Sequence, residues 1–344
     1  MAGLTETIQD FYTYPSVGPE DWRYVYQTAQ ARAMEMQMLP RLALLDMANA
    51  PDYQQAVGYL ATSEYAPIST AQEMEQVERI LLARRTAARE LFAQWMLDAR
   101  INHLFRSRDD LANLRLAIKR MVSKQPIGTD YSQDGNVPAD RIAAIFEQQQ
   151  FDLLPDYLQD ALEQATVAYY QAKDIRRVDV ALDQFQCRYN LQQAYKIGHV
   201  FLVNLFRMQI DLNNIRTIVR LKLTPSDLPG VLLEGGFIEP DRLARGMDTN
   251  AEGLPGLFYY GPYWKVVDEG VRYFVAEQSF LRLEQACDEH LLGFLRSCAH
   301  IASGPQPIIA YLLTKEHQIR MVRLVLVAKR HHLQTRLILD RLAA

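Results

Sequence analysis

"NLFRMQIDLNNIRTIVRLKL" (204–223) decides how the chain is read, because 101 positions earlier stands "HLFRSRDDLANLRLAIKRM" (103–121). Aligning 104–115 with 205–216 gives seven identities in twelve: L-F-R, then D-L, Asn and Arg at fixed spacing. Carried on without a gap, the same offset pairs Gly135 with Gly236, Asp140 with Asp241 and Arg141 with Arg242. Amphipathic helices match scattered leucines by chance. They do not keep polar residues in register.

A fainter third copy sets "MVRLVLVAK" (321–329) over "NIRTIVRLK" (214–222), with Arg323 opposite Arg216, and "DRL" at 340–342 answers "DRI" at 140–142. The repeat divides the chain into three related units, 1–145, 146–245 and 246–344. A period this long points to triplicated small domains rather than a solenoid.

Apolar residues recur at helical spacing almost throughout. Ile80, Leu81, Ala87, Ala88, Leu91, Phe92 and Trp95 mark one face of a long helix beginning near Ala71, and 24–48 and 178–208 read the same way. Sustained period-two alternation is scarce, so the expected fold is all-α. Breakers gather at 123–139, at 224–240 and in "TNAEGLPGLFYYGPYW" (249–264).

Composition narrows the function. The 344 residues carry a net charge of −4, which gives no general field for phosphate backbones, so nucleic acid is not an expected partner. Three cysteines, Cys187, Cys287 and Cys298, show no CxxC spacing and read as reduced thiols. The opening residues lack a basic segment followed by an apolar run, so no signal peptide is expected. No apolar run approaches the length of a membrane span.

Within the repeated phrase, the junction between L-F-R and D-L-x-N reads as a helix–helix connection. Asp110 and Asp211 are then N-caps, accepting from unpaired backbone N–H groups at the positive helix end. Arg115 and Arg216 follow one turn on, each with a second base four residues later, Lys119 or Arg220. Like charges at that spacing repel mildly. Such a stripe is a solvated face, a set of arginines neutralised within their own unit, or a docking stripe for acidic helices. Residues 315–341 are more basic still, with only Glu316 and Asp340 against seven bases. The candidate partner contacts are therefore Arg115, Arg216, Arg220, Arg320, Arg323 and Lys329.

Catalytic motifs are few. There is no GxxxxGK[ST] loop, no GxGxxG and no HExxH. "DDLAN" (109–113) resembles part of the Asp-rich motif with which helical terpenoid synthases chelate Mg²⁺ around a prenyl diphosphate, but its counterpart "IDLNN" keeps only the second Asp. Cys287, His290, Cys298 and His300 fit no familiar zinc spacing. No catalytic residue, cofactor or metal site is expected.

At 305–333, "PQPIIAYLLTKEHQIRMVRLVLVAKRHHL" resembles the C-terminal signature of the V/A-type ATPase central-stalk family known as the C subunit, or in eukaryotes the d subunit. The resemblance lies in Pro307 to Leu312, Lys315-Glu316 and Val322-Arg323. The family's D-x-x-N-[IL]-R helix is similar to Asp110–Arg115 and Asp211–Arg216, and its first helix to 24–39. Where the family usually has Asn or Glu in the last helix, this chain has His317, Gln318 and Met321.

The resemblance implies three helical domains about a pseudo-threefold axis, forming a funnel-like, non-catalytic adaptor. It implies partners in the rotor shaft and the membrane proteolipid ring, a peripheral place on the cytoplasmic membrane face, and torque transmission for H⁺ or Na⁺ transport. A generic all-α interaction scaffold is the alternative. A helical Mg²⁺-dependent prenyl-diphosphate enzyme comes third.

Overall fold

A computed structural model describes residues 14–342 apart from 72, 129 and 224–229. The first part of the breaker segment 224–240 and the opening residues 1–13 thus lie outside the described residues. In chain order the helices are α1 (Val25–Glu35), α2 (Arg41–Asn49), α3 (Tyr53–Gly58), α4 (Met74–Trp95), α5 (Ala99–Ser123), α6 (Ala139–Gln148) and α7 (Asp156–Ala172). Then follow α8 (Arg176–Ile197), α9 (Val200–Leu223), α10 (Pro240–Ala244), α11 (Trp264–Glu277), α12 (Leu281–Arg296), α13 (Pro305–Arg330) and α14 (Thr335–Leu342). No strand occurs among the described residues, and the all-α expectation holds.

The helix boundaries correct three expectations. The helical pattern at 24–48 is two helices, because Pro40 cannot donate within a helix and instead sits at the N-cap of α2. The pattern at 178–208 is also two, since Gly198 takes a left-handed conformation (φ 77°) and ends α8. The connection expected inside the repeated phrase does not exist. Helices α5 and α9 run unbroken through Asp110 and Asp211, and the cap of α5 is Asp98, whose carboxylate accepts from Arg100 N.

The chain forms two compact units. One comprises 98–217 and 226–243. Leu114 and Ile118 of α5 pack there with Ile142 of α6, Leu158 of α7, and Val178 and Leu182 of α8. The other comprises 1–97, 218–225 and 244–344, so it is built from segments on both sides of the first unit in the sequence. Its core joins Met47 of α2, Val57 of α3, Val77 and Leu81 of α4 with Val322 and Leu326 of α13.

Candidate functional site

The repeated polar residues converge on the loop that follows each helix. Asp110 is fully buried in the middle of α5. Its Oδ1 accepts from Val137 N at 2.9 Å, and its Oδ2 from Asn136 N at 3.0 Å, Asn136 Nδ2 at 2.8 Å and the Tyr157 hydroxyl at 2.7 Å. One turn along, Asn113 clamps the same loop by paired 2.8 Å bonds, Nδ2 donating to Ser132 O and Oδ1 accepting from Ser132 N. Arg106 closes the other side by donating to Gly135 O. A buried carboxylate is tolerable when several donors surround it, and each charge-assisted bond here contributes more than a neutral one. Burial first, then the adjacent Asp110 carboxylate, raises the pKa of the Tyr157 phenol.

The second copy repeats this at the same offset. Asp211 Oδ2 accepts from Phe237 N and Oδ1 from Ile238 N, both at 3.1 Å. Asn214 exchanges two 2.8 Å bonds with Leu233, and Arg207 donates to Gly236 O at 3.1 Å. The paired glycines now have a reason. A Cβ on Gly135 would lie 2.3 Å from Asp110 Oδ1, and one on Gly236 2.1 Å from Asp211 Oδ1.

Asp110 and Asp211 are therefore structural, but not as caps of their own helices. They satisfy loop N–H groups that have no partner in a helix or sheet. The sequence reading missed Arg106, Ser132, Asn136 and Tyr157 as members of the clasp. The retained glycines were the available signal, since each stands 25 residues after its Asp. Asp109 likewise accepts from Ser132 Oγ at 3.1 Å, so the carboxylates of "DDLAN" serve the loop.

In α13 the register of Asp110 and Asp211 is held by Gln318. Its Nε2 donates to Leu39 O at 2.8 Å, and its Oε1 accepts from the Tyr65 hydroxyl at 3.2 Å. Beside it Lys315 is buried against Glu64, and burial lowers its pKa to about 8.

The basic stripe is largely engaged within the chain. Arg115 pairs with Asp183 and approaches Asp179 of α8, and Lys119 Nζ lies 2.7 Å from Asp179. Arg220 pairs with Glu284 of α12, and Arg323 with Glu78 of α4 at 2.7 Å. Arg336 meets Glu277 and Arg341 meets Asp288. Lys329 corrects the expectation of a partner contact. It is 5% exposed and donates to Ala50 O, because its aliphatic stem lies on the packed face of α13. Arg216 is half-buried near Asn213, and Arg320 faces outward.

The histidines and cysteines of 287–300 separate. Cys287 and Cys298 are buried, His300 is exposed, and His290 packs between the rings of Tyr14 and Tyr263 at 5.2 and 4.9 Å. Among the described residues no three His, Cys, Asp or Glu side chains converge as a metal set would, and no helix is long and apolar enough to cross a membrane.

Comparison with known proteins gives one consistent result. The profile of the ATP synthase (C/AC39) subunit family matches residues 27–341. The C subunit of the V-type sodium ATPase of Enterococcus hirae is 23% identical over 258 residues, covering 73% of this chain and 78% of that protein. The C subunit of the A-type ATP synthase of Thermococcus kodakarensis is 24% identical over 326 residues, covering 88% and 86%. Its namesake in Pyrococcus horikoshii is 24% identical over 351 positions, covering 94% and 92%.

Proposed function

The chain belongs to the ATP synthase (C/AC39) subunit family, and from that premise we propose that it is the non-catalytic central-stalk adaptor of a V/A-type rotary ATPase. In this role it joins the rotating shaft to the membrane proteolipid ring on the cytoplasmic face, and transmits torque for H⁺ or Na⁺ transport. The family match over nearly the whole chain carries the reading.

The geometry supports it in a specific way. The conspicuous polar residues of the repeat are consumed by holding loops, and most of the stripe by ion pairs within the chain. An exposed ion pair contributes about 0–1 kcal/mol, so a few arginines do not hold a loaded rotor. A broad surface, at least about 1,000 Å² with many small contacts, does. Arg216 and Arg320, with the exposed parts of Arg115, Arg220 and Arg323, supply some of those contacts.

Affinity purification from native membranes under mild detergent tests the reading. Shaft subunits and proteolipid are expected to come down with the chain. Recovery of a partner-free monomer, with ATP-driven ion pumping intact after deletion, returns the chain to the class of generic helical scaffolds.

A further inference from the structure

The two hydrophobic cores correspond position by position, and the correspondence joins segments far apart in sequence. In the unit containing α5, the core includes Leu111, Leu114, Ala117 and Ile118, packed with Val178 and Leu182 of α8. In the unit containing α13, the third-copy register puts Ile319, Val322, Val325 and Leu326 at the same places, and all four are in that core. Their partners are Val77 and Leu81 of α4, each 101 positions before Val178 and Leu182. The ion pairs agree. Arg115 reaches Asp179, whereas Arg323, its counterpart, reaches Glu78, which stands 101 positions before Asp179.

We propose that the third repeat unit is assembled from two segments far apart in sequence: α13 and α14 supply the half that α5 and α6 supply in the unit containing α5, and α2 to α4 supply the half that α7 and α8 supply there. The boundaries expected at 145 and 245 then move, and each complete unit begins with its long helix at 99, 200 or 305. Residues 14–95 then do not share a unit with α5 and α6, as the division at 145 has them. They are the other side of the unit that α13 begins.

The seam between these halves is well tied. Arg89 Nε donates to Glu316 Oε1 at 2.7 Å, Lys315 meets Glu64, and Lys329 meets Ala50 O. At the start of α13, Ala302 N donates to Glu20 Oε1 at 2.8 Å, and Gln306 Nε2 donates to Pro19 O at 2.8 Å. Thr28 Oγ1 and Gly304 are also hydrogen-bonded, at 3.2 Å. In the α5 unit the corresponding contacts form within one continuous stretch. In the α13 unit they form only after residue 305 and beyond have joined residues 14–95. The closure is therefore late in synthesis and depends on no covalent link between α4 and α5. This reading goes beyond the proposed function and stands or falls separately from it.

The test uses the full-length protein with a protease site placed at Leu97, between α4 and α5. After cleavage of the folded protein, the 1–97 fragment is expected to stay with the remainder through gel filtration, with helicity unchanged. Loss of the fragment, or unfolding on cleavage, overturns the proposal. A second measurement on the uncut chain is a double-mutant cycle of Glu78→Arg and Arg323→Glu. Each single change is expected to lower the folding equilibrium constant about two- to fivefold and the double swap to restore it. Additive effects with no coupling overturn the pairing across the seam.

Discussion

Asp110 of α5 and Gln318 of α13 occupy the same register of two long helices, and both are buried. Asp110 is an anion surrounded by four donors and holds a loop 26 residues further along the same chain. Gln318 is neutral and holds Leu39 O, 279 residues away. A carboxylate only accepts, so it suits a loop presenting N–H groups; an amide donates as well and suits a carbonyl. The charged clasp concentrates stability at one residue. The neutral one shares its work with the Lys315–Glu64 pair, with Lys329 and with the packing of α1 to α4.

That difference is open to mutation, and the largest effect is expected at the carboxylate. Asp110→Ala strands two buried N–H groups and the Tyr157 hydroxyl, and a loss of about 3–4 kcal/mol is expected by chemical denaturation. Gln318→Ala is expected to cost about 1–2 kcal/mol in the same measurement. Equal losses at the two positions would break the contrast.

The unit containing α13 is the one expected to respond to acid. Burial holds His290 and His317 at pKa values of about 4, with Arg320 and Arg341 also lowering His317 against the raising influence of Asp288. Unfolded chain takes up protons below pH 6.5 while the folded chain does not until about pH 4. Stability therefore falls as pH drops through that window, by about 3 kcal/mol per histidine at its end. Thermal melts between pH 7 and 4 should show this fall, and His290→Phe should reduce its slope by about half. An unchanged slope would place the acid sensitivity elsewhere.

Smaller effects sharpen the clasp itself. Gly135→Ala drives a Cβ onto Asp110 Oδ1, and Gly236→Ala does the same at Asp211, so each is expected to cost about 2 kcal/mol in equilibrium unfolding. Gly256→Ala, with nothing within 4 Å of the added carbon, serves as the control. Below these lies Arg115→Ala, whose partly exposed pairs contribute about 0.5 kcal/mol, falling further in high salt.

Much of this was legible in the residues. The all-α fold followed from spacing, the repeat from identities at one offset, and the family from the C-terminal stretch that became α13. The clasp was half legible: Asp, Asn and Gly were conspicuous, but Asp in a helical pattern reads first as a cap. What reversed that reading was solvent exclusion. A mid-helix Asp is costly unless donors from elsewhere enclose it, and those donors are backbone N–H groups, which leave no trace in residue identity.

By itself, then, the sequence determined that the chain is helical, the repeated register and which positions are apolar, because these depend on spacing along one chain. Tertiary structure alone decided that the two clasp acids are buried, that Lys329 is a core residue and that Arg323 meets Glu78. It also decided that α13 packs on α2, α3 and α4. Such contacts depend on distance in space. A repeat assembled from two distant segments separates by more than two hundred positions the halves that the hydrophobic effect brings together.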